Sequence, residues 1–169
     1  MAVALQAEEL IIASILTAIM IAAAVFDIRR YRIPNALTAS GVLAMLGLHY
    51  LTGSIGGLTA SLLGLACAFA AHFMLFALGV LGAGDVKLFC VVGAALGAGA
   101  MLTVWLFVAL AGGVQSGWII ARAALARRRD ATGGALLAGR KVCYSVAIAA
   151  GTLGTLGWRA LGHEYIRIF

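Results

Sequence analysis

Long apolar runs separated by short polar breaks organise this chain. The first runs from about Glu8 to Phe26 and ends at Asp27. A basic break follows, Ile28-Arg29-Arg30-Tyr31-Arg32-Ile33-Pro34-Asn35, which holds the only proline. Pro34 disfavours helix at Ile33 and suits the first turn of a new helix, so a second helix is predicted from Asn35 to Leu51. Thr52-Gly53-Ser54-Ile55-Gly56-Gly57 reads as a turn. Further helices are predicted over 58–80, 86–96, 101–122 and 142–161. Gly97-Ala98-Gly99 and a polar, basic loop over 126–141 form the later breaks. Most of these runs approach the roughly 20 apolar residues needed to cross a bilayer. Continuous apolarity, rather than alternation, argues against a membrane β-barrel. The expected fold is all-α: a polytopic membrane protein, a bundle of six transmembrane helices, with residues 1–169 as one domain.

Composition sharpens this reading. Of 169 residues, 64% are hydrophobic and only 11% charged, against about 25% charged in ordinary soluble domains. Mean hydropathy is +1.09. The start, Met1 to Glu9, lacks a basic segment and a small-residue cleavage site, so the first apolar helix is expected to serve as the insertion signal. The three cysteines, Cys67, Cys90 and Cys143, lie in apolar segments without C-x-x-C spacing and read as reduced packing residues. No zinc pattern is present, and neither a metal nor a cofactor is expected.

The net charge of +6 is a topology signal. With six crossings, Arg29, Arg30, Arg32, Lys87, Arg122, Arg127, Arg128, Arg129, Arg140 and Lys141 fall on one side, and Arg159 and Arg167 on the other. The positive-inside rule puts the first group in the cytosol and both termini outside. That distribution argues for a lipid bilayer as partner and against nucleic acid. Spacings such as Gly93/Gly97 and Gly113/Gly117 predict close helix packing.

Candidate chemistry lies with the acids. Glu8, Glu9 and Glu164 fall at the outer ends, and Asp130 sits beside three arginines in the polar loop. Asp27 and Asp85 remain. One ends the first helix and the other opens the fourth, within Leu81-Gly82-Ala83-Gly84-Asp85-Val86-Lys87. Charges at membrane depth are costly and mark function. Two neighbouring carboxylates resist double ionisation and can hold one shared proton. The ionised member can then activate water, while the protonated member polarises a peptide carbonyl. Taken alone, the residues leave other readings open. Asp85 suits a helix cap, Asp27 suits an ion pair with Arg29 or Arg30, and both suit ion or proton transport. Gly82 and Gly84 would let a substrate backbone pass close to Asp85, or simply form a tight turn.

Three stretches resemble the type IV prepilin leader peptidases, membrane aspartic peptidases with a G-x-G-D motif. Asp27 with Ile33-Pro34-Asn35 downstream is similar to the family's first aspartate and its I-P-N. Gly82-Ala83-Gly84-Asp85-Val86-Lys87-Leu88 is similar to its G-x-G-D-x-K-L. Tyr144-Ser145-Val146-Ala147-Ile148-Ala149-Ala150-Gly151 resembles the small-residue segment opening its last helix. The family often has proline at that opening, where this chain has Cys143 before Tyr144. Larger members carry a cysteine-bearing domain that methylates the new amino terminus, and this chain resembles the short, peptidase-only form of tight-adherence (Flp) pilus systems. Signal-peptide-peptidase and presenilin-like enzymes share G-x-G-D, but they have more spans and a Y-D pair where Phe26 precedes Asp27 here.

The resemblance implies an aspartic endopeptidase of the inner membrane. It would cut basic leaders from prepilins or pseudopilins at the cytosolic face, after a glycine and ahead of an apolar helix. It implies Asp27 and Asp85 as the catalytic pair and no metal or cofactor. Gly82, Gly84, Lys87, Pro34 and Asn35 are expected to shape the site or contact substrate. Lys87 also suits a role among lipid headgroups. His72 is expected to pack within the bundle, and His49 to lie far from the pair. The pair is expected to stand apart when no substrate is bound.

Overall fold

A computed structural model describes residues 2–129 and 143–166. Every regular element among them is helical: α1 (Ala2–Arg30), α2 (Asn35–Ala77), α3 (Ala83–Leu96), a short 3-10 turn (Ala98–Ala100), α4 (Met101–Arg129) and α5 (Tyr144–Ala160). The basic loop expected over 126–141 falls largely outside the described residues, as do Asp130, Arg140, Lys141 and Arg167.

Three helical segments are long and apolar enough to cross a membrane, Ala7–Arg30, Asn35–Ala77 and Ala98–Leu125, where the sequence pattern predicts six. The difference lies in particular elements. Helix α3 has 14 residues, about 21 Å of rise against a hydrocarbon core of about 30 Å. Helix α2 runs for 43 residues through the expected turn at 52–57, with one non-helical residue, Ser54, at φ 53° and ψ −142°. A side chain on Gly57 would overlap the carbonyl of His49. Eight residues of straight helix would separate those positions by about 12 Å. The backbone therefore folds back at Ser54 and gives α2 two arms, 35–53 and 55–77.

Side-chain contacts order the ends of these pieces. Glu8, Glu9, His49, Ala95 and Arg159 meet at one end of the bundle. Asp27, Asn35, Lys87 and Ser145 meet at the other. Successive helical arms thus alternate in direction.

The short helix is the centre. From Val86 to Ala95 every side chain of α3 except Lys87 is buried, as expected of a helix apolar all round. It packs against α1, α2 and α5. Side chains on Gly64 and Gly93 would each overlap the other's backbone carbonyl, and one on Gly64 would also overlap Gly97. Gly93 and Gly97 therefore admit α2 to backbone contact, which is the close packing their spacing predicts. A methyl group on Gly113 or Gly117 would meet nothing within 4 Å, so these two make no such contact among the described residues. The hydroxyl of Ser61 donates to Ala94 O at 2.6 Å beside the Gly64–Gly93 crossing.

Candidate active site

Asp27 lies inside the last turn of α1, which continues to Arg30 rather than ending at Phe26. Arg29 and Arg30 suit the negative end of the helix dipole and let the helix run past the acid. Tyr31 then adopts a left-handed φ of 49°, and the chain turns through Ile33, which is buried. Pro34 caps α2, and its carbonyl accepts the amides of Leu37 and Thr38.

Asp85 enters from the other side, in the first turn of α3. Gly82 is the cap residue of that helix, with an extended backbone, and its amide faces the Asp85 carboxylate. This is the reach-back of an acid at the third helical position to the cap amide. Asp85 is therefore not the cap residue the sequence suggested; that position belongs to Gly82, and Asp85 stands inside the first turn. A methyl on Gly82 would sit 3.1 Å from Asp85 Oδ2, whereas one on Gly84 would make ordinary contacts with Ile33 at 3.5 Å. The first glycine leaves room for the carboxylate, and the second packs the motif against the loop after α1.

The structure brings four of the predicted residues into direct contact. Besides Gly82 and Asp85, Lys87 Nζ donates to Asn35 Oδ1 at 2.9 Å. That bond ties the G-x-G-D segment to the proline loop across 52 positions. Both partners are exposed. Pro34 and Gly84 flank this junction, the first as the cap of α2 and the second packed on Ile33.

Asp85 stands outside the three long spans. Burial, then the neighbouring Asp27 charge, push its carboxyl up from 3.8 to about 6, against the opposing bond from Gly82. Burial also raises the Cys143 thiol, and the charges of both aspartates add to that. The two carboxylates therefore act on a common space at the entrance to α5. Among the described residues neither aspartate forms an ion pair. The ion pair considered for Asp27 with Arg29 or Arg30 is not formed, and Arg30 instead lies over the Phe26 ring.

Sequence reasoning missed one contact. Ser145, fully buried in the first turn of α5, donates its hydroxyl to Asp27 Oδ2 at 2.6 Å. Cys143 contacts the Asp27 carbonyl at 3.7 Å, and Gln115 of α4 donates to the Cys143 carbonyl at 3.0 Å. The start of α5 is thus fastened to both α1 and α4. Ser145 belongs to a segment already singled out, but a hydroxyl whose partner lies 118 positions away leaves no local signal.

An apolar cavity of about 270 Å³ opens beside the site, lined by His72, Leu81, Phe89, Trp105, Val108 and Tyr144 among others. His72 stacks on Phe89 with centroids 3.5 Å apart and bonds its own helix at Ala68 O, a packing role as expected. His49 lies at the opposite end, on Ala95 O. No cluster of three metal-binding side chains occurs among the described residues. Two carboxylates around one space, one of them holding its proton to unusually high pH, can supply a general acid and a general base together.

A family model described as Type IV leader peptidase family matches residues 14–117. Neither a curated protein nor a solved structure matches the chain. The family match spans more than half of the sequence and includes both Asp27 and Asp85. The chain belongs to the type IV leader peptidase family.

Proposed function

We propose that this member of the type IV leader peptidase family removes the basic leader of type IV (Flp-type) prepilins or pseudopilins, with Asp27 and Asp85 as its catalytic pair. The family itself implies an aspartic-type peptidase acting on prepilins in general. One observation carries the assignment of residues: two acids from helices far apart in sequence lie close enough for the Asp27 charge to act on Asp85, and among the described residues neither forms an ion pair.

A peptide bond laid between the carboxylates would be hydrolysed in two steps. The ionised aspartate takes a proton from water as the water oxygen bonds to the carbonyl carbon. The protonated aspartate gives its proton to the carbonyl oxygen. The tetrahedral adduct then collapses: the C–N bond breaks, the leaving amine takes up the proton held by the first acid, and one hydroxyl of the adduct returns its proton to the second acid as the new carboxyl group forms. No covalent intermediate is required.

The charge distribution supports a cytosolic active site in the inner membrane. Arg29, Arg30, Arg32 and Lys87 cluster at the aspartate end, while Glu8 and Glu9 occupy the other. The deciding experiment is co-expression with a candidate prepilin, with leader removal followed by mass. Asp27→Asn and Asp85→Asn should each leave the precursor uncut while the protein still inserts. Full processing by either variant would end this reading.

A further inference from the structure

Aspartic chemistry needs its two carboxylates to differ, and the hydrogen bond from Ser145 supplies a difference. Among the described residues the other buried hydroxyl donors, Thr38, Ser61 and Thr155, give their protons to backbone carbonyls. Ser145 instead gives its proton to a carboxylate on another helix, at 2.6 Å. A hydroxyl donated to a carboxylate favours the charged form of that acid. Among the described residues Asp85 has no such side-chain donor. It has one backbone amide, from Gly82, and burial is the largest influence on it.

We propose that Ser145 is a positioning residue that fixes Asp27 as the ionised, water-activating member of the pair and leaves the shared proton to Asp85. This rests on the peptidase reading above. The hydroxyl occupies Asp27 Oδ2, and among the described residues no hydrogen bond reaches Oδ1, the oxygen that would receive the proton from water. It also holds the carboxylate against rotation from a fully buried anchor, whose helix start is fastened by Gln115 through the Cys143 carbonyl.

Other charged groups around Asp27 do not supply the same bias. On its own helix, Arg29 and Arg30 are exposed, and Arg30 is drawn over Phe26. In the following loop Tyr31 and Arg32 are exposed. From α3, Asp85 is itself an acid and supplies no positive charge, and Lys87 is engaged with Asn35. From the start of α5, Cys143 and Tyr144 are neutral at ordinary pH. The titratable His49 of α2 lies at the far end of the bundle.

The test is the pH–rate profile of the purified full chain in lipid, on a synthetic peptide with a basic leader, a glycine and an apolar segment. Loss of the hydroxyl in Ser145→Ala and Ser145→Gly should move the acid limb of kcat/KM to higher pH by about one unit. Activity should fall about tenfold below the limb and little above it. Ser145→Thr, which keeps the hydroxyl, should return the limb towards its original position. An unmoved limb in either the alanine or the glycine variant would overturn the proposal, as would a threonine variant displaced as far as alanine. Asp27→Asn, run alongside, separates the two readings. Cleavage surviving there defeats the peptidase pair itself, whereas an unmoved limb in the Ser145 variants defeats only the positioning role.

Discussion

Both ends of the bundle hold acids, and they treat them differently. At one end Glu9 pairs with Arg159 at 3.1 Å, while Glu8 lies 3.8 Å from His49 and accepts the Thr52 hydroxyl at 2.6 Å. At the other end Asp27 and Asp85 receive a serine hydroxyl and a backbone amide but, among the described residues, no cation. Compensated acids fasten helices together. Uncompensated acids at a half-buried site retain a proton that chemistry can use. Burial, then the neighbouring Asp27 charge, raises Asp85 to about 6, and that shift sets this end apart.

The largest break in this comparison comes from neutralising each acid in turn. Asp27→Asn and Asp85→Asn should lower leader cleavage by about 10²–10⁴-fold, the usual worth of general acid–base catalysis. Glu8→Gln and Glu9→Gln should leave it near the parent rate, measured as processed pilin by mass. Comparable losses at both ends would erase the distinction.

Acidity gives the next effect. If Asp85 is the acid, activity is present while it is protonated and falls as pH rises through its titration. The alkaline limb of kcat/KM, which reports the free enzyme, is expected near pH 6. Bound peptide excludes more water, and burial is the main cause of the shift, so the limb of kcat should lie at higher pH. Profiles with the reverse order would contradict this.

The glycines of the motif should separate more modestly. Gly82→Ala places a methyl 3.1 Å from the Asp85 carboxylate and should cost on the order of tenfold in kcat through misplacement. Gly84→Ala has ordinary contacts with Ile33 and should change kcat less than about threefold, with helix propensity in its favour. Equal losses would mean that Gly84 has a role beyond packing.

The smallest effects belong to exposed ties. Lys87→Met removes the bond to Asn35 and should slow cleavage about fivefold, the rate equivalent of ~1 kcal/mol. Arg159→Ala breaks the exposed pair with Glu9 and should cost stability by about 0.2–1 kcal/mol or less, read as a small fall in melting temperature without loss of cleavage.

The sequence shows the ingredients of the site more clearly than its arrangement. Asp27, Asp85 and the I-P-N and G-x-G-D segments stand out because charge and proline are rare in an apolar chain. The bond between Lys87 and Asn35 joins two such segments, though neither residue alone indicates it. The helix limits are less legible. Gly53, Gly56 and Gly57 read as a break, and the chain does fold back there, but through a single non-helical residue, Ser54, rather than a turn spanning 52–57. Asp27 reads as a helix end, yet α1 continues through two arginines that favour its last turn. Ser145 is silent in the sequence because nothing local distinguishes a serine facing lipid from one facing a carboxylate.

The glycine crossing at Gly64 and Gly93 has a consequence for the rotation of α3. Backbone contact there leaves no space for even a methyl group, so the helix can seat in only one angular setting. Eight residues upstream on the same helix, Asp85 inherits that setting. Adding or removing one residue between the two would swing the carboxylate about 100° around the helix axis. The crossing therefore works as an index mark: it fixes the bearing of a reactive group at a distance, and the length of the intervening segment matters as much as its composition.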